Sequence, residues 1–238
     1  MKIFPAIDLK DKKVVRLLLG DYDKVTVYGD DPLAQAKHFK LCGAQNLHVV
    51  DLDGAKSGNN PNFDIIKQLS EKSGLFLEVG GGIRDEERIR IYLSAGAGRV
   101  ILGTAAAENP QFLAETVKKY GDKIAVGIDI KEGAVATHGW TKTSGISAFD
   151  FFDEIEKIGV STVICTDISR DGAERGTNLD LYKELSEKFS MNIIASGGVS
   201  SITDIIELKK MNIYGAIIGK ALYTGAIDLK EALMEAEE

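Results

Sequence analysis

Asn62–Lys72 reads NFDIIKQLSEK, and 116 residues later Asn178–Lys188 reads NLDLYKELSEK, identical at seven of eleven positions. Two amphipathic helices can resemble each other by chance. Here, however, the same offset places Asp51 on Asp167, Gly81-Gly82 on Gly197-Gly198, and Gly103 on Gly219. An offset of 121 places Ile7-Asp8-Leu9-Lys10 on Ile128-Asp129-Ile130-Lys131. One near-constant shift serving several separate strand ends is the mark of duplication, and the period is far too long for a solenoid.

Working outward from the repeat, short runs rich in Val, Ile and Leu fall near 3–8, 46–51, 75–80, 98–103, 123–129, 161–167, 191–197 and 214–219. They alternate little between apolar and polar, as parallel strands covered on both faces do. Helical patterns fall between them, near 32–42, 62–73, 85–95, 110–120, 146–158, 178–189, 201–211 and 227–236. Asp31-Pro32, Asn62, Asn109-Pro110 and Asn178 read as helix starts. Strand and helix alternating eight times predicts an α/β fold, a single (β/α)8 TIM barrel. Its half-barrels are expected at about 1–120 and 121–238. A doubly wound open sheet is the competitor, but a closed ring accommodates two equal halves symmetrically.

Composition narrows the function. The chain has 238 residues, 29 basic and 36 acidic side chains, a net charge of −7, and 44% hydrophobic residues. That length buries a sizeable core. The acidic balance argues against a nucleic-acid partner, which calls for clustered Lys and Arg. No apolar run reaches the ~18 residues of a membrane span, and the first eight residues show no signal-peptide core. A soluble, cytoplasmic protein is expected, with Cys42 and Cys165 as two buried free thiols. His38, His48 and His138 lack metal-ligand spacing.

In such barrels the chemistry sits where strands pass into βα-loops. Asp8 and Asp129 end the first and fifth strands, on opposite sides of the mouth, where two carboxylates can share base and acid roles. Gly81-Gly82-Ile83-Arg84 and Ser196-Gly197-Gly198 follow strands three and seven. Gly103-Thr104 and Gly219-Lys220 follow strands four and eight. Glycines let backbone approach a phosphate closely, and the next helix supplies free N–H groups. The duplication therefore predicts two phosphate sites and a ligand carrying two phosphates. Bulky residues at Gly82 or Gly198 are expected to weaken its binding. His48 and Asp51, and Thr166, Asp167, Arg170, Asp171 and Gly172, offer polar groups for the ligand, although Asp51 and Asp167 equally suit loop bracing. Trp140, the chain's single Trp, is a candidate stacking plate above the mouth. The loop containing Arg16 and Gly20 is long enough for a lid, and Arg16 could reach a phosphate.

The motifs PAIDL (5–9), GDY (20–22), LHVVDLDGA (47–55), GGGIR (80–84), HGW (138–140), TDISRDG (166–172) and SGGVS (196–200) together resemble one family. It is the phosphoribosylformimino-aminoimidazole carboxamide ribotide isomerases of histidine biosynthesis, and the resemblance runs from residue 3 to about 225. It implies a cofactor-independent, metal-free isomerase, expected as a monomer, acting on a small bisphosphorylated ribotide. The reaction implied is an Amadori rearrangement of an aminoaldose to an aminoketose, with Asp8 as general base and Asp129 as general acid. Three departures stand out: Leu19 and Glu78, each where the family has Gln, and the stretch 173–177. Glu78 would place extra negative charge near a phosphate site, to be offset by Arg84. Rival readings are a bifunctional isomerase that also takes phosphoribosyl anthranilate, the related ammonia-using cyclase, and a non-catalytic phosphosugar-binding barrel.

Overall fold

A computed structural model describes residues 1–18, 20–173 and 175–237. The first half runs β1 (Lys2–Lys10), β2 (Lys13–Leu18), β3 (Asp21–Gly29), α1 (Pro32–Leu41), β4 (Asn46–Asp51), α2 (Leu52–Ser57), α3 (Phe63–Lys72), β5 (Phe76–Gly80), α4 (Glu86–Ser94), β6 (Arg99–Leu102), α5 (Thr104–Glu108) and α6 (Pro110–Tyr120). The second runs β7 (Ile124–Lys131), β8 (Ala134–Thr137), β9 (Lys142–Ser147), α7 (Ala148–Ile158), β10 (Thr162–Asp167), α8 (Leu179–Lys188), β11 (Asn192–Ser196), α9 (Ile202–Lys210), β12 (Gly215–Ile218), α10 (Lys220–Thr224) and α11 (Leu229–Glu237).

Strands β1, β4, β5, β6, β7, β10, β11 and β12 pair in parallel in that order, and β12 closes the ring on β1. The eight apolar runs are thus the eight strands of a (β/α)8 barrel. Phe4, Ile101, Ala125, Ile164, Ile194 and Ile217 fill the interior of the ring. A larger apolar layer joins the strands to the surrounding helices. Among the described residues no helix is long and apolar enough to cross a membrane.

The loop expected after the first strand is ordered as a hairpin. β2 pairs antiparallel with β1 and β3 with β2. β8 and β9 repeat the device on β7. Sequence reading treated both as loops because their exposed faces carry polar residues, which breaks up the apolar run. Three short helices, α2, α5 and α10, are likewise additions to the sequence-based plan. Asp31, Asn109 and Asn178 each accept a first-turn N–H as helix caps. Asn62 does not. Its amide donates to Asp51 and Asp53 and its oxygen accepts from Lys12, so it braces loops instead. Cys165 is buried as expected, but Cys42 caps the end of α1 and is only half-buried.

Candidate active site

Asp8 and Asp129 lie near the C-terminal ends of β1 and β7, four places apart around the ring, and both line one cavity of about 260 Å³ at that end of the barrel. Arg16, on the first hairpin, donates to the Asp8 carboxylate at 2.8 Å and to the Ala6 carbonyl at 2.9 Å. Its guanidinium stands over the Tyr223 ring, 5.5 Å from the centroid. Arg16 is thus spent on the base candidate rather than held out for a phosphate. Asp129 is recessed and takes hydrogen bonds from Trp140 and Thr166. Burial raises its pKa above the ordinary carboxylate range, against those bonds.

Asp171, on the turn after β10, completes the group. Burial raises its pKa, Arg16 opposes this, and the neighbouring Asp8 and Asp129 add to it, leaving a value of about 6. The cavity thus gathers three carboxyls, and like charge at close range opposes the ionisation of Asp171.

The glycine turns do more than line a ligand. Gly81 and Gly82 adopt φ of +110° and +72°, and Gly197 and Gly198 of +87° and +82°. A Cβ on Gly81 would run into the Asp51 carbonyl and lie 2.7 Å from the Asp51 nitrogen; on Gly82 it would run into the Gly54 carbonyl. At Gly197 and Gly198 it would lie 2.6 Å from the Asp167 oxygen and 2.5 Å from the Gly176 oxygen. Each pair therefore lets one βα-loop press on the loop of the preceding strand. Bulky residues there would displace that loop, so lost ligand affinity alone would not mark a phosphate contact. Gly103 and Gly219 open α5 and α10 with matching backbone angles and no side-chain cap, leaving helix N–H groups beside the cavity.

His48, Gly20, Arg84, Thr104, Trp140, Thr166, Gly172, Ser196 and Lys220 also line the cavity. Asp51, Asp167 and Arg170 are not among the lining residues, and their side chains bond within the loops. Asp51 accepts from the Gly54 N–H at 2.8 Å and the Asn62 amide at 2.7 Å. Asp167 accepts from the Ser169 N–H and hydroxyl and from the Asn178 amide. Arg170 donates to the Arg175 carbonyl. The loop-bracing alternative holds for both aspartates, 116 residues apart and on equivalent asparagines.

Trp140 lines the cavity but its ring also covers Gly20, where any Cβ would collide with it. His138, Gly139 and Trp140 all have positive φ. At the two non-glycine positions that conformation costs roughly 1–2 kcal/mol each. Glu78 was expected beside a phosphate, offset by Arg84. It instead lies inside the barrel, paired with Arg99 and His48. Leu19 and Glu174 lie outside the described residues. Sequence reading missed Tyr223, whose hydroxyl donates to the Ala6 carbonyl and whose ring backs Arg16. No local signal connects positions 207 residues apart. It also missed Arg99, although a lone charge within an apolar strand run was a usable clue.

The family described as histidine biosynthesis protein matches residues 2–228. A protein of Ruminiclostridium cellulolyticum is 52% identical over 234 residues, covering 98% of this chain and 99% of its own. One of Brachyspira hyodysenteriae is 50% identical over 238 residues and covers both chains fully. One of Clostridioides difficile is 49% identical over 232 residues, covering 98% of this chain and 97% of its own. All three are named 1-(5-phosphoribosyl)-5-((5-phosphoribosylamino)methylideneamino) imidazole-4-carboxamide isomerase.

Proposed function

The chain belongs to the histidine biosynthesis protein family, and from that premise we propose how its site performs the isomerisation for which its relatives are named. It is an isomerase of histidine biosynthesis. It converts the aminoaldose arm of the bisphosphorylated formimino-aminoimidazole carboxamide ribotide to the aminoketose. The observation that carries the mechanism is that Asp8 and Asp129 end opposite strands and line one cavity, with a glycine turn and an uncapped short helix on either side.

In this reading the two phosphates sit at the loops after β5–β6 and β11–β12, which holds the ribose between the carboxyls. Asp129 is the general acid. Burial shifts its pKa upward, the direction a proton donor needs, and its proton goes to the ring oxygen, opening the ribose to an iminium. Asp8, ion-paired with Arg16, is the general base that takes the C2 proton. The enolamine then tautomerises to the ketose. Each transfer contributes roughly 10²–10⁴-fold, and neither step calls for a metal or cofactor. Asp171, with its value of about 6 and its place beside the other two, is the second candidate for the acid role.

Turnover decides it. The purified protein with the formimino ribotide, a chelator, and no ammonia or cofactor is expected to yield an isobaric ketose. Consumption of the isomerised ribotide with ammonia would mean the cyclase. No conversion in either assay would leave a binding protein. Turnover of phosphoribosyl anthranilate would mark the bifunctional enzyme.

Two further outcomes follow from the site. Asp171 has a folded-state value of about 6, raised above its ordinary carboxylate value. Its favourable contribution is therefore present below about pH 4 and is lost as pH rises through about 6. Asp171→Asn is thus expected to stabilise the protein at pH 7–8 and not at pH 4. The full shift would correspond to about 3 kcal/mol. Asp171 faces an open cavity, so roughly 1–2 kcal/mol is expected after screening. Urea denaturation at both pH values measures it, and equal effects at both would contradict the assignment. Trp140 is the only Trp, so its fluorescence reports one place. If it engages the heterocycle, bisphosphate ligand changes its emission; no response would make it a packing residue against Gly20.

A further inference from the structure

Beneath the site, inside the barrel, lies a charged chain that the mechanism above does not use. Glu78 on β5 is fully buried and Arg99 on β6 is 5% exposed. One carboxylate oxygen of Glu78 accepts from Arg99 Nη2 at 2.6 Å and from Nε at 3.2 Å. The other meets His48 Nδ1 at 2.7 Å. Arg99 Nη1 reaches Thr162 on β10 at 3.0 Å, and its guanidinium lies near the Phe4 and Phe76 rings. Buried ion pairs seldom add stability over apolar residues of the same volume. This one occupies space that the rest of the ring fills with Ile, Phe and Ala, and it ends on an imidazole that lines the cavity.

The hydrogen count fixes what the chain does to that imidazole. Arg99 can only donate, and the Glu78 carboxylate facing it can only accept. With Glu78 held as the carboxylate that Arg99 pairs with, the hydrogen in the 2.7 Å contact sits on His48 Nδ1. In the neutral ring Nε2 is then bare, and among the described residues no protein group bonds to it. We propose that Glu78 is a positioning residue: anchored by Arg99, it holds His48 in the Nδ1–H form, so that Nε2 meets a ligand hydroxyl as a hydrogen-bond acceptor. A sugar hydroxyl placed among Asp8, Asp129 and Asp171 is a donor of the right chemistry. Only that last assignment, and the kinetic readout, rest on the isomerase reading; the ring's protonation does not.

Glu78→Gln tests it. Arg99 would demand the amide oxygen, turning the amide NH2 toward Nδ1. Nδ1 would then have to accept, and the hydrogen would move to Nε2. Long-range ¹H–¹⁵N spectra distinguish the two forms, and with three histidines in the chain the His48→Ala spectrum assigns the signal. The expected result is Nδ1–H in the native protein and Nε2–H in Glu78→Gln, with kcat/KM lowered about tenfold, the scale of one hydrogen bond. In a His48→Ala background Glu78→Gln should have no further effect, because it acts through the ring. Nε2–H in the native protein overturns the proposal, as does the same kinetic loss with or without His48, or no kinetic loss at all. If Glu78→Gln does not fold, the native spectrum alone decides. A native protein that shows Nδ1–H but no turnover would count against the isomerase reading and leave the Glu78–His48 geometry standing.

Discussion

Asp8→Asn is expected to lower kcat by about 10²–10⁴-fold with KM nearly unchanged, and Asp129→Asn to do the same. The amide keeps the size of the carboxyl and can still accept from Arg16, which donates to Asp8 at 2.8 Å. The hairpin carrying Arg16 should therefore stay docked and the cavity keep its shape. What is lost is the ability to take or give a proton, which matters mainly in the transition state. The two variants should differ in pH response. The native kcat/KM profile is expected to fall at high pH as the acid loses its proton. In Asp129→Asn the residual activity should lose that limb if Asp129 is the acid. If the limb instead disappears in Asp171→Asn, the acid role passes to Asp171, whose value near 6 makes it the competitor. A loss confined to KM in Asp8→Asn would contradict a base role there.

The second large effect is on folding. Gly81→Ala is expected to cost on the order of 3–5 kcal/mol, a large part of the roughly 5–15 kcal/mol that holds a domain together. Two costs add. Alanine at φ +110° is strained wherever it stands. Its Cβ must also push back the Asp51 backbone, which the bonds of Asp51 to Gly54 and Asn62 hold in place. Gly197→Ala meets the Asp167 oxygen at 2.6 Å and should cost less, in the same direction. Gly133→Ala separates the two costs. Gly133 has φ +80° but nothing within 4 Å of a Cβ, so only the backbone strain of roughly 1–2 kcal/mol applies. Urea denaturation of the three variants is the measurement. Equal losses at Gly81 and Gly133 would remove the argument for loop-on-loop contact.

The barrel was legible because its signals are local. Eight runs of Val, Ile and Leu, each followed by a helical period and a turn, state the alternation of strand and helix without reference to anything distant. The repeat between residues 62–72 and 178–188 then favours closure. Asp8 and Asp129 were legible for the same reason, since a strand end is a local feature and the ring places strand ends at one mouth. The two hairpins were not, because exposed strands such as β3 and β9 carry no apolar run. Asn62 had the look of a helix cap, yet its partners are Asp51 and Asp53, supplied by a different loop.

What the sequence alone determined was therefore the periodic part: strand order, the strand-end carboxylates and the places where only glycine serves. What tertiary structure decided was every pairing across the ring. Arg16 turned to Asp8, Asp51 and Asp167 turned away from the cavity, and Glu78 joined Arg99 and His48 rather than Arg84. Each of those depends on which side chains closure of the barrel brings within 3 Å. A hydrogen bond's strength falls off over fractions of an ångström, a precision that spacing along the chain does not encode.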